Sequence, residues 1–119
     1  MIGDVAFQYD RNALWNSYVG ANVRIIIFNN SGGGIFGIID GAKDLPELNE
    51  FMVTKQTFHA KNAALDAGID YFETNNWNEL NLHIQHFLAP SDRAKILEIF
   101  TDASVNTQEL QAYMNLFKQ

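Results

Sequence analysis

The run Val23-Arg24-Ile25-Ile26-Ile27-Phe28 constrains this chain most. β-branched and apolar almost throughout, it offers no alternating polar face and so predicts a strand covered on both sides. Such strands belong to parallel sheets enclosed by helices. The run ends in Asn29-Asn30-Ser31-Gly32-Gly33-Gly34, a composition that reads as a turn.

The rest of the chain alternates in the same sense. Met1-Ile2 reads as the end of a strand cut off on its N-terminal side. Asp10 is a candidate cap for a helix through Leu14, Trp15 and Tyr18, stopped by Gly20. Residues 35–39 are apolar, Gly41 and Pro46 punctuate a loop, and residues 48–52 suggest a short helix. Residues 58–67 read as a helix whose Ala60, Ala63, Ala64 and Ala67 form a small-residue face, ended by Gly68. A short strand over 69–72 follows. Asn76 and Glu79 form a capping pattern before a helix with Trp77, Leu80, Ile84, Phe87 and Leu88 on one side. Residues 94–100 are the last strand, broken by Lys95 and Glu98. Asn106 and Glu109 repeat the capping pattern, and Leu110, Tyr113, Met114 and Phe117 mark a final helical face. The prediction is an α/β fold, a mostly parallel sheet with helices on both faces. A sheet that opens in mid-strand suggests a piece of something larger, so residues 1–119 are expected to be one partial domain.

The bulk properties narrow the function. A chain of 119 residues fits one domain. Its net charge of −6 argues against a nucleic-acid surface and against adhesion to anionic membranes. No apolar run approaches the roughly 20 residues needed to span a bilayer. There is no cysteine, so neither a disulfide framework nor a thiolate site, which fits a cytoplasmic protein. Met1-Ile2-Gly3-Asp4 lacks the basic start of a signal peptide.

Two strand ends carry candidate chemistry. Gly3-Asp4 puts a carboxylate after the first apolar run, and Asn30 with the glycines puts an amide and open backbone after the next. Ligands bind at such positions in open α/β sheets. An acid, an amide oxygen and a main-chain carbonyl are hard ligands suited to Mg²⁺ carrying a phosphorylated cofactor, with glycine allowing close approach and φ > 0. Each motif alone reads as an ordinary turn; together they read equally as a turn pair and as a ligand site. Gly32-Gly33-Gly34-Ile35-Phe36-Gly37 also satisfies G-x-G-x-x-G, but residues 52–58 contain no acid. No Lys-Ser or Lys-Thr follows the glycines, which excludes a P-loop.

Other candidates read as structural. His83 and His86 lie at i, i+3 without a third ligand and are expected at the helix edge. His59 sits at a helix start. Asp102-Ala103-Ser104 reads as the start of the final helix, and Trp15 and Trp77 as core residues. Asp40, Asp44, Glu47 and Glu50 read as a solvated loop.

Gly3-Asp4 followed at this distance by Asn29-Asn30 resembles the cofactor motif of thiamine diphosphate enzymes. Their general pattern has a third glycine where this chain has Val5. The run Gly3-Asp4-Val5-Ala6-Phe7-Gln8-Tyr9-Asp10-Arg11-Asn12-Ala13-Leu14 is similar instead to the 2-succinyl-5-enolpyruvyl-6-hydroxy-3-cyclohexene-1-carboxylate synthases of the menaquinone pathway. Asn29-Asn30-Ser31-Gly32-Gly33-Gly34-Ile35-Phe36, Phe58-His59-Ala60 and Asn76-Trp77-Asn78-Glu79-Leu80 continue the similarity over essentially the whole chain. The spacer between the two motifs is about one residue shorter, a difference a tighter loop near Gly20 absorbs.

The resemblance implies the C-terminal part of the diphosphate-binding domain of a longer subunit, in a thiamine diphosphate-binding fold. It implies Asp4 and Asn30 as side-chain ligands of Mg (or Mn) and Gly32 as a main-chain ligand. Gly3, Val5, Ala6 and Ile35 would lie against thiamine diphosphate, and Ile35, Phe36 and Ile39 beside the substrate. The implied reaction decarboxylates 2-oxoglutarate and adds the resulting carbanion to isochorismate. The activating glutamate would belong to another domain, so no catalytic residue is assigned and the chain alone is expected to be inactive. Missing upstream domains and a homo-oligomer are the implied partners. The alternative is a free-standing flavodoxin-like module that binds a nucleotide or a protein.

Overall fold

A computed structural model describes residues 1–39, 41 and 44–117. Four strands, β1 (Ile2–Gly3), β2 (Arg24–Asn29), β3 (Asp70–Thr74) and β4 (Lys95–Phe100), form one all-parallel sheet in the order β1-β2-β4-β3. Helices α1 (Asp4–Asp10), α2 (Lys61–Asp66), α3 (Trp77–Leu88) and α4 (Ala103–Asn115) follow the strands. The expected α/β architecture is present. No described helix is long and apolar enough to cross a membrane.

Strand alternation explains the layers. Ile25, Ile27, Tyr71 and Ile96 point to one face, where Phe7 of α1 and Ala60 and Ala64 beside and within α2 join Ile27 and Ile96 in the core. The alanines let α2 approach closely, as their spacing predicts. The opposite face carries Arg24, Phe72 and Lys95 and is covered by α3. There the Phe72 and His83 rings lie 5.7 Å apart. Connections running from β1 to β2 and from β2 to β3 use one face, and the return from β3 to β4 uses the other, as right-handed crossovers require.

Several element boundaries differ from expectation. Asp10 caps no helix through its side chain; α1 starts at Asp4 and ends at Asp10, and a 3₁₀ turn covers Arg11–Trp15. The acid at the first position suits the positive end of the helix, and Phe7 three residues on is buried against the sheet. Helix α2 begins only at Lys61, and the orphan N–H of Ala60 just before it donates to Glu98 Oε2 at 2.9 Å. Gly68 at φ 66° does terminate that region. Asn76 caps α3 through Glu79 N–H at 3.0 Å. Asn106 caps nothing; α4 starts at Ala103 with Asp102 as its cap, and Asn106 Nδ2 donates to Thr101 Oγ1 at 2.7 Å.

Trp15 and Trp77 are not core residues: they are 83% and 77% exposed. Leu110, Tyr113, Met114 and Phe117 are also exposed, because α4 packs mainly against the turn at Gly34–Gly37 and stands off the sheet. The radius of gyration, 16.1 Å, exceeds the ~13.5 Å of a compact domain of this length. Helical spacing identifies an apolar face but not what covers it. Asp44, Glu47 and Glu50 are exposed as expected; Asp40 lies outside the described residues.

Candidate functional site

The two predicted strand ends meet. Strands β1 and β2 pair side by side, Gly3 opposite Phe28, so Asp4 and Asn30 leave the carboxyl edge of the sheet together. Asp4 is buried at the first position of α1. The carboxamide of Asn30 ends 3.3 Å from Asp4 Oδ1 and 2.6 Å from the Gly32 carbonyl oxygen. With its NH₂ turned toward these two oxygens, the amide donates to both. Three residues chosen from sequence therefore converge within hydrogen-bond distance.

The turn achieves this differently from the expected way. None of Gly32, Gly33 and Gly34 has a positive φ; Ser31 does, at 63°. A bond from the Ser31 N–H to Asn29 Oδ1, 3.0 Å long, closes an Asx turn that holds this uncommon conformation. Glycine is needed at 32 for space instead. A Cβ there would lie 2.8 Å from Val53 Cγ1 and 2.9 Å from the Val53 carbonyl. A Cβ on Gly34 would come within 3.0 Å of the Asn30 carboxamide. Residues 53–56 press the turn into place, with Gly33 N–H bonded to Val53 O and Gln56 N–H to Ser31 O.

Beneath the turn lies a polar chain that the sequence reading passed over. Gln56 Nε2 donates to Asp4 Oδ2 at 2.5 Å and to Asn29 Oδ1 at 3.2 Å. Asn29 Nδ2 donates to Glu98 Oε1 at 2.7 Å and to Phe58 O at 2.8 Å. The other oxygen of Glu98 accepts from Ala60 N and from the Tyr71 hydroxyl at 2.5 Å. Glu98 is wholly buried, and every described buried polar side-chain atom has a partner. Burial, then the bonds to Glu98 and Glu73, raises the Tyr71 pKa far above the usual phenol range. The interruption of β4 by Glu98 was the available signal: a lone acid in a two-sided strand demands buried partners.

A groove of about 480 Å³ opens above Asp4. Gly3, Asp4, Val5, Ala6, Asn30, Gly32, Ile35 and Phe36 line it, together with Tyr9, Phe28, Gly33, Gly34 and Asn106. Ile39, expected beside them, is not among its walls. A wider cleft of about 780 Å³ shares the glycine turn and extends to Lys55 and the start of α4.

The remaining candidates are structural. Asp102 is held below the ordinary carboxylate range by the Ser104 hydroxyl and the N–H groups of Val105 and Ser104. His86 Nδ1 lies 3.1 Å from Leu82 O, His83 packs on Phe72, and the His59 ring lies 4.8 Å from that of Phe100. Among the described residues no three His, Cys, Asp or Glu side chains cluster as a metal site.

No family model matches the chain. Curated relatives do. It is 46% identical over 117 residues to a 2-succinyl-5-enolpyruvyl-6-hydroxy-3-cyclohexene-1-carboxylate synthase of Cytophaga hutchinsonii, covering 98% of this chain and 21% of the relative. Synthases of the same name from Christiangramia forsetii and Flavobacterium johnsoniae are 40% and 37% identical, over 98% and 93% of this chain and 20% of each relative. The chain thus spans about one fifth of the length of these relatives. Over nearly its whole length it is the homologous counterpart of the C-terminal part of synthases of this name.

Proposed function

We propose that this chain forms the metal-holding part of a thiamine diphosphate- and Mg²⁺-dependent synthase of menaquinone biosynthesis. The observation that carries the reading is the convergence of Asp4 Oδ1, the Asn30 carboxamide and the Gly32 carbonyl oxygen. At Mg–O distances of 2.0–2.1 Å, neighbouring octahedral ligands lie about 2.9 Å apart. The separations of 2.6 and 3.3 Å around Asn30 bracket that spacing. With its oxygen turned inward instead, the Asn30 amide would offer that oxygen to a cation beside Asp4 Oδ1 and Gly32 O. One carboxylate and two neutral oxygens leave room for phosphate oxygens and water, the ligands Mg²⁺ prefers to keep.

The donor set therefore fits the group. Asp4, Asn30 and Gly32 would hold the metal, and Gly3, Val5, Ala6 and Ile35 would line the groove around the diphosphate. Phe36 on the same wall would face the substrate. When bound, thiamine diphosphate supplies the electron sink for decarboxylating 2-oxoglutarate and for joining the product to isochorismate. The chain's own contribution is to orient: buried Asp4 sets the metal, the turn at Ser31 aims Gly32 O, and Ile35 offers an apolar wall. In this reading the chain orients and other domains of the enzyme supply the proton transfers, so the isolated chain is inactive.

Calorimetry with Mg²⁺ and thiamine diphosphate tests this on the wild-type chain and on Asp4→Asn. Binding that is at least tenfold weaker in Asp4→Asn supports the reading. Equal affinity in both removes Asp4 from the site. Turnover of 2-oxoglutarate and isochorismate by the 119-residue chain alone would overturn its assignment as an inactive part.

A further inference from the structure

The two oxygens of Asp4 are not equivalent. Oδ1 faces Asn30, whereas Oδ2 is taken by Gln56 Nε2 at 2.5 Å. Gln56 cannot turn its amide over. Its Oε1 accepts the Phe58 N–H, and only an oxygen can serve there. The second hydrogen of Nε2 goes to Asn29 Oδ1 at 3.2 Å, and Asn29 is oriented by Glu98, which accepts from its Nδ2. The order of donors and acceptors thus runs without choice from Glu98 to Asp4, and it ends with an N–H pointed at Oδ2.

A carboxylate with both oxygens free can chelate a cation bidentately. Ca²⁺ uses this, taking six to eight oxygens at 2.3–2.6 Å in flexible geometry. Mg²⁺ demands near-octahedral coordination at 2.0–2.1 Å, which one oxygen of each ligand serves best. We propose that Gln56 sets the metal preference of this site: by occupying Oδ2 it keeps Asp4 a one-oxygen ligand and so selects a small octahedral cation over Ca²⁺. This rests on the reading that Asp4, Asn30 and Gly32 hold a divalent cation. Gln56 would not touch the metal; it is a positioning residue, and its signature is a ratio of affinities rather than a loss of affinity.

The test uses the 119-residue chain with thiamine diphosphate present. Mn²⁺ is titrated and followed by the paramagnetic resonance of the free ion, then displaced with Ca²⁺. Two variants are compared with wild type: Gln56→Met, which keeps length and removes the donor, and Gln56→Glu, which keeps the acceptor for Phe58. Either variant that melts cooperatively suffices. The expected result is a preference for Mn²⁺ over Ca²⁺ reduced by about tenfold, the low end of what outer-shell partners contribute. Weakening of both ions by one factor, or no change, overturns the role of Gln56 while leaving the cation site in place, provided that Asp4→Asn abolishes Mn²⁺ binding. Failure of the wild-type chain to bind Mn²⁺ overturns the cation site itself and this inference with it.

Discussion

Asn29 and Glu98, 69 positions apart, are joined by a buried bond of 2.7 Å between Nδ2 and Oε1. It runs across the β2–β4 pair, one of the two long pairings in the sheet. Glu98 accepts from three groups on three different segments: Asn29, Ala60 and Tyr71. Replacing it with leucine strips the Ala60 N–H of this acceptor and frees one Asn29 Nδ2 hydrogen, while Asn29 keeps Phe58 O and Tyr71 keeps Glu73; each lost bond costs about 1–3 kcal/mol before relaxation. We expect Glu98→Leu to lose about 3 kcal/mol in urea unfolding, and Glu98→Gln to lose less because one acceptor survives. Wild-type stability in Glu98→Leu would show that the chain does not depend on this carboxylate.

The same acid makes stability depend on alkaline pH. Tyr71 has its pKa raised from 10.0, first by burial and then by Glu98 and Glu73, because a phenolate among them would be desolvated and repelled. The folded state therefore favours the protonated phenol more than the unfolded state does. Its contribution is fully present below pH 10 and is lost progressively as pH rises above that value. Thermal melts should fall more steeply between pH 10 and pH 11.5 in wild type than in Tyr71→Phe, which has no proton to lose. Parallel curves for the two proteins would contradict this linkage.

Much of this was legible in the sequence, for identifiable reasons. Residues 23–28 read as a two-sided strand because all but Arg24 are apolar, and β2 spans most of them. Asp4, Asn30 and Gly32 were chosen as ligand types at strand ends, and the parallel β1–β2 pairing brings them together. Gln56 was not legible. It lies in an irregular segment with no periodicity, and its role follows only from a contact with a residue 52 positions away. Trp15 and Trp77 were misread as core for a related reason: helical spacing is local, whereas burial depends on what the fold brings against it. The positive φ at Ser31 was assigned to the glycines because propensity favours them, yet Asn29 supplies a side-chain bond that offsets the cost at a serine.

Two cations close the end of α3. Lys95, almost fully buried, donates from Nζ to His86 O at 2.6 Å and to Ala89 O at 3.0 Å. Arg24 donates to Phe87 O at 2.7 Å and also to Ala89 O at 3.0 Å. These are the carbonyls that a helix terminus leaves unpaired, at the end where its dipole is negative. Lys95→Met keeps the aliphatic stem and removes the donor, so we expect a loss of about 2 kcal/mol. Hydrogen exchange should accelerate in the last turn of α3 more than in β4. A uniform acceleration across both elements would mean that Lys95 acts on the sheet rather than on the helix end.

Gly3 and Gly32 separate space needed by the fold from space needed by a ligand. A methyl at Gly32 collides with Val53 at 2.8–2.9 Å, whereas a methyl at Gly3 meets no protein atom within 4 Å. Gly32→Ala should therefore cost about 1–3 kcal/mol as the turn shifts from Val53. Gly3→Ala should cost only about 0.5–1 kcal/mol, through a poorer residue at the start of α1. Gly3 nonetheless lines the groove proposed for the diphosphate. If that groove takes thiamine diphosphate, Gly3→Ala should weaken calorimetric binding of the Mg²⁺ complex at least tenfold while the melting curve stays close to wild type. Unchanged affinity in a folded Gly3→Ala chain would place the diphosphate elsewhere, in which case the wider cleft beside Lys55 becomes the surface to probe.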